Sequence, residues 1–255
     1  MRASLLRLLI NVGVPAMLTV VFVGLVLNSD AHGAALVVAL VAFLVVVGLW
    51  ALFRELALHA TATRLLALGE ADELIAMAER YAQSRLTERR RAPFWIYLAC
   101  GHIQRGEWDE ADRALRKVVS GTGRRDWDVL WASAKVTVLV ERGDAAGARA
   151  LYEKAIAGPA QSLVGAGAKL VSDDAQAKLR FAEGDHAGAM ATFKKLAGDI
   201  RLGPAARATA HWYAGRCALA LGDRAAADRH LDEAAALAPK THLPRSAVAL
   251  RAGAA

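Results

Sequence analysis

The sequence predicts an all-α protein, a transmembrane helical hairpin followed by an α-solenoid of about five helix-turn-helix units. Two apolar runs of 20 residues each, 8–27 and 34–53, hold no charged residue. Beyond Arg54 a glycine followed by an acid recurs five times at near-constant spacing. Ala, Leu, Arg and Glu dominate that remainder, and the period-two alternation of a half-buried strand is absent. The 255 residues are 55% hydrophobic, which excludes disorder as the overall state. Two cysteines cannot build a disulfide framework or a cysteine metal cluster.

As a helix rising about 1.5 Å per residue, each apolar run covers the ~30 Å hydrocarbon core of a bilayer. The second, AALVVALVAFLVVVGLWALF, is longer than a buried helix of this apolarity usually runs. The first holds Gly13 and Pro15, tolerated in a membrane helix because neighbouring groups re-satisfy the freed carbonyl. Residues 28–33 suffice for a tight hairpin. Arg2 and Arg7 precede the first span, Arg54 and Arg64 follow the second, and the connection holds Asp30 but no Lys or Arg. The positive-inside rule then puts both termini and everything beyond Arg54 in the cytoplasm, with a bacterial inner membrane as the expected location. A cleaved signal peptide competes for the first run, which has a basic start and small residues at Ala31, Gly33 and Ala34. That alternative still leaves residues beyond Arg54 inside. Cys100 and Cys217 fit such a compartment as reduced, buried thiols.

The recurring pairs are Gly69-Glu70, Gly106-Glu107, Gly143-Asp144, Gly184-Asp185 and Gly222-Asp223, spaced by 37, 37, 41 and 38 residues. Five residues past each glycine stand Leu74, Ala111, Ala148, Ala189 and Ala227; nine past stand Ala78, Leu115, Tyr152, Phe193 and Leu231. Glycine ends a helix because its left-handed conformation carries no Cβ penalty, and the following acid suits the start of the next helix. The small residue lets two helices approach closely. The larger one, four positions on, lies on the same face and fills the space between neighbours.

These columns resemble the tetratricopeptide repeat (TPR) family. In FWIYLACGHIQRGEWDEADRALRKV, Trp95, Leu98, Ala99, Gly106, Trp108, Ala111 and Leu115 match the family pattern. In HWYAGRCALALGDRAAADRHLDEAAALAP the matches are Gly215, Gly222, Ala227, Leu231, Ala234 and Pro239. Leu139, Ala148, Tyr152 and Ala155 fit around Gly143, and Ala177, Ala189 and Phe193 around Gly184. The copy around Gly69 is degenerate, and the resemblance covers about residues 58 to 239. Several Tyr and Trp columns hold small or polar residues, and the units exceed the family's 34 residues, with extra length in 158–167. The expected domains are a hairpin over 1–54, a solenoid over 55–239 and a closing helix or tail over 240–255. In layout alone, two spans before such repeats are also similar to the bacterial HemY family; no role in haem metabolism is carried over.

The resemblance implies a concave surface, lined by the first helix of each pair, that takes extended or helical peptides. Counting back from the glycines gives three candidate groove columns: Ile96, Ser133, Asp174 and Trp212; Cys100, Thr137, Lys178 and Arg216; Ile103, Val140, Phe181 and Leu219. The third is apolar and the second turns basic, so the expected partner is a protein or peptide with apolar anchors and an acidic end. The plainer alternative makes the third column inter-repeat packing and the cations a solvated face. The Asn residues of the family's terminal-carboxylate clamp are missing from these columns, which argues against that ligand.

The net charge is +7, of which 1–53 contributes +1. Arg85, Arg89, Arg90 and Arg91 form the densest cluster, a candidate patch for anionic lipid or an acidic partner, or else a solvated loop. It lacks interleaved aromatics and belongs to no reader motif, so nucleic acid is not expected. No enzyme signature stands out. The seven histidines lack metal-helix spacing, Asp173 and Asp174 diverge on a helix, Ser162 and Ser172 lack elbow glycines, and GAGAK near Gly165 follows no strand. No catalytic residue, metal, cofactor or small-molecule substrate is expected. The spans hold no ionisable residue, which argues against a channel or pump. The functional expectation is a membrane-anchored interaction adaptor, with a structural subunit of a membrane complex as the alternative.

Overall fold

The structure, a computed structural model, describes residues 33–84, 86–118, 124–157 and 166–253. The described residues are mostly helical, joined by turns and short loops, and contain no strand. Eleven α-helices follow in order: α1 Gly33–Leu68, α2 Ala71–Ala82, α3 Glu88–Arg105, α4 Trp108–Arg116, α5 Arg125–Glu141, α6 Ala145–Tyr152, α7 Ala166–Ala182, α8 His186–Gly198, α9 Pro204–Ala220, α10 Arg224–Leu237 and α11 Leu243–Gly253. A π turn, Glu153–Ala157, extends α6. The chain divides into two units, Met1–Thr61 and Ala62–Ala255.

In the first unit, the sequence's second apolar run lies within α1. Within Leu40–Leu68 of this helix an 18-residue stretch has a mean hydropathy of 2.1, and α1 is the one helix among the described residues long and apolar enough to cross a membrane. Leu40, Val41, Leu44, Val45, Leu49, Leu52 and Phe53 are all exposed to solvent rather than packed in a core. Arg54, the first charge, lies over the ring of Trp50 at 5.7 Å, a cation–aromatic pairing suited to the edge of an apolar stretch. The expected first span, 8–27, and the connection before Gly33 lie outside the described residues.

In the second unit, all five glycine-acid pairs make the same turn. Gly69, Gly106, Gly143, Gly184 and Gly222 have φ between +74° and +86°. In each case the acid's backbone N–H donates to the carbonyl five residues back, as in Asp144 to Leu139 and Asp223 to Ala218, both 2.9 Å. This is the Schellman closure, and it reverses the chain into the next helix. The Ala111, Ala148, Ala189 and Ala227 column is fully buried, and so is Leu74 in the first copy. Leu115, Phe193 and Leu231 of the larger column are buried too, whereas Tyr152, next to the π turn, is half-buried.

The pairs α3/α4, α5/α6, α7/α8 and α9/α10 each pack together, and the first helices α3, α5, α7 and α9 pack in sequence against one another. Most of the core lies between them: Val136, Phe193, Tyr213 and Leu231 are nearly or wholly inaccessible, and the Phe193 and Tyr213 rings stack at 5.0 Å. One buried carboxylate ties α4 to α5. Asp112 is 1% exposed and accepts from Arg116 at 2.6 Å, from Arg142 at 2.9 Å and from Lys135. Burial works against its ionisation, but the bonds from Lys135 and Arg116 outweigh it and hold the carboxyl below its ordinary range.

The last pair returns to the first. The Lys240 ammonium donates to Glu70 at 2.7 Å, across 170 residues of sequence. The backbone N–H of His242 donates to the Gln104 carbonyl at 2.8 Å, and Arg245 donates to the Arg105 carbonyl at 2.7 Å. Gly69 lies against Ala205, Ala238 and Thr241, and Gly203 lies so close to Ala67 that a Cβ would fall 2.6 Å from the Ala67 Cβ. The helical pairs of this unit therefore close on themselves along a seam.

Candidate functional site: the inward face of the paired helices

The three columns fall on α3, α5, α7 and α9, the first helices of their pairs. Because these helices turn tightly, residues two pairs apart meet. Lys178 on α7 is 5% exposed and donates to Thr137 on α5 at 3.0 Å and to Asp174 one turn back at 2.6 Å. Its ammonium lies 5.5 Å from the Tyr213 ring centre. Arg216 on α9 donates to Glu141 on α5 at 2.5 Å. Its guanidinium stands over Phe181, Tyr213 and Trp212 at 4.5, 5.3 and 5.7 Å. Tyr213 donates its hydroxyl to the same Glu141 oxygen at 2.5 Å. Burial, the Glu141 charge and that hydrogen bond push the Tyr213 phenol well above its ordinary value.

The structure thus brings Thr137, Asp174, Lys178, Phe181, Trp212 and Arg216 into one cluster. Ile96 and Ser133 are buried, and the Ser133 carbonyl accepts from Thr137 at 3.0 Å. Cys100 is buried near Lys178, and burial pushes its thiol up to about 12, so it is not a reactive nucleophile at neutral pH. Burial likewise pushes Cys217 up to about 11. Val140 belongs to the core, Leu219 packs beside Ala218, Ala226 and Ala227, and Ile103 lines a small, partly open space.

That space is a chamber of about 30 Å³ walled by Ile103, Gln104, Trp108, Thr137, Glu141, Ala205, Thr209, Trp212, Tyr213, Thr241, His242 and Leu243. Its volume suits a water molecule, far below the 300–1,000 Å³ of a typical organic-ligand pocket. The cations facing inward are matched by carboxylates of the same chain, Arg216 by Glu141 and Lys178 by Asp174. Of the column residues, Ile103, Thr137 and Trp212 line the chamber, which is partly open to solvent.

Column counting missed nine of the twelve wall residues, Gln104, Glu141, Trp108 and His242 among them. Gln104 and Glu141 stand four residues after Cys100 and Thr137, so extending the basic column by one helical turn would have found them. Trp108 starts the second helix of its pair, and His242 follows the last one, where no column reaches. The His242 ring meets Trp108 and Trp212 edge-on, at 5.5 and 6.2 Å.

In the arginine cluster, Arg89 and Arg90 are exposed on the first turn of α3, Arg91 is half-buried, and Arg85 lies outside the described residues. Cations at a helix N-terminus oppose the helix dipole by about 0.3–1 kcal/mol each, so local helix stability does not account for them. Among the described residues no group of three or more His, Cys, Asp or Glu is placed to hold a metal ion. His211 and His230 approach at 3.0 Å between Nδ1 atoms, with ring centres 5.2 Å apart. That separation puts the two nitrogens nearly head-on, which suits an N–H···N bond in which one ring donates to the lone pair of the other.

Comparison with protein-family models, with curated proteins and with solved structures finds no match. The sequence and the geometry alone define the class: an all-helical protein with, among the described residues, one helix fit to cross a membrane.

Proposed function

We propose that this chain is a membrane-anchored, TPR-like α-solenoid that acts as a protein–protein interaction adaptor at the cytoplasmic face of a bacterial inner membrane. The observation that carries the reading is the fivefold recurrence of one turn, with its buried small and large columns, in a chain that also holds an exposed apolar helix. Each pair buries its apolar side only against its neighbours, the physical signature of repeat modules whose use is binding. The two-span hairpin, with both termini inside, anchors the module and raises its partner's effective concentration at the membrane. The partner is a peptide or protein segment with apolar anchors and an acidic end, recognised by Arg216, Lys178 and the aromatic rings around them.

A second reading is favoured by the small size of the chamber and by its internal ion pairs. The inward cations are already neutralised by Glu141 and Asp174, so a structural subunit would use its membrane helices and outer faces to join a complex. Crosslinking in native membranes followed by partner identification tests both. An adaptor yields a cytoplasmic partner whose crosslinks are lost on Arg216→Gln. A subunit yields integral membrane partners joined through residues of 34–53, unaffected by that substitution.

A further inference from the structure

We infer that the seam between the first and last helical pairs is a gate, and that its release opens the inward chamber to an acidic segment of a partner. The inference rests on the proposed peptide-binding role of the inward face. The other contacts join helices consecutive in the chain, in neighbouring pairs or, at Arg216 and Glu141, two pairs apart. Among the described residues the seam alone joins elements some 140 to 170 residues apart. Its close approaches involve small side chains at Ala67, Gly69, Gly203, Ala205 and Thr241, the His242 ring against Trp108 and Gly106, an exposed ion pair and bonds to two carbonyls. Small side chains bury little area, and exposed ion pairs add little, so this is the contact the unit opens first.

The seam is also a wall of the chamber, through Gln104 on one side and Thr241, His242 and Leu243 on the other. Behind it lie two ion pairs in a place where apolar side chains would pack at lower desolvation cost. Glu141 and Asp174 stand on Arg216 and Lys178 as a partner's carboxylates would. Exchange of one carboxylate for another keeps the charges paired and the aromatic rings covered.

The test uses the full chain in lipid nanodiscs, spin-labelled across the seam at the exposed positions Asp72→Cys and Val248→Cys. Gly203→Val is the wedge, because its Cβ would lie within 2.9 Å of the Ala67 backbone. The probe is a biotinylated Leu-Trp-Leu-Glu-Glu peptide, with Leu-Trp-Leu-Lys-Lys as control. The expected result is a longer inter-label distance in the wedge variant and at least tenfold more capture of the acidic peptide than by the parent, with no gain for the basic one. An unchanged distance in a wedge variant with parent-like circular dichroism overturns the gate. A longer distance without capture upholds the gate and overturns the acidic-peptide reading. If the wedge variant does not fold, Lys240→Glu serves instead, since its side chain is 66% exposed. It must populate the longer distance at low salt and lose it on the added swap Glu70→Lys; no change on the single swap overturns the gate.

Discussion

The five acids that follow the turn glycines look alike in sequence, yet they divide by one methylene. Asp144, Asp185 and Asp223 accept from the backbone N–H three residues on, at 2.8, 3.0 and 2.9 Å, and cap their helices. Glu70 and Glu107 make no such bond. Glu107 instead meets His102 at 2.7 Å and Arg105 at 3.0 Å, and Glu70 holds Lys240. Asp223→Ala is therefore expected to cost about 1 kcal/mol by urea unfolding, and Glu107→Ala only what a surface pair gives, roughly 0–1 kcal/mol. The histidines set a pH dependence. Burial lowers His211, His230 and His242 below the ordinary histidine value. The unfolded chain then binds protons more readily than the fold, so their contribution is complete above about pH 6.5 and is lost as pH falls through the lowered values. Unfolding midpoints followed from pH 8 to 5 should drop on the acid side. His242→Gln, which cannot titrate, should flatten part of that fall.

Among the elements, the turns were the most readable part of the sequence. A left-handed glycine followed by an acid is a local code, and the buried columns downstream follow from helical period alone. The turns are not equivalent in their surroundings. Around Gly222 and Gly143 a Cβ would meet nothing within 4 Å, so Gly222→Ala is expected to cost only the left-handed backbone penalty, about 1–2 kcal/mol. Gly106 lies against the His242 ring, where a Cβ would come within 3.1 Å. Gly106→Ala should therefore destabilise more than Gly222→Ala, a difference that thermal unfolding of the two variants resolves. The π turn after Tyr152 was not legible. It follows the weakest copy of the larger column, where the ring is half-buried and the helix takes an extra residue into its last turn. The inward columns were partly legible: Lys178 and Arg216 were found by counting, but their carboxylate partners were not. Glu141 lies 75 residues from Arg216, and nothing in the spacing of either helix marks the other as its mate.

For the molecule as a whole, helical class and an apolar membrane-length run could be read directly, because both are properties of single segments. Closure could not. It depends on how tightly successive pairs turn, which small differences in side-chain volume between helices decide, and on the meeting of Glu70 with Lys240 and of Gln104 with His242. The proposed adaptor is a helical-repeat unit tethered by apolar helices to a bilayer. Alkaline carbonate extraction of membranes from cells making the full chain tests it most directly, since that wash strips peripheral proteins and leaves integral ones. The account predicts that the chain stays in the pelleted membrane and leaves it only with detergent. Quantitative recovery in the carbonate supernatant would contradict it.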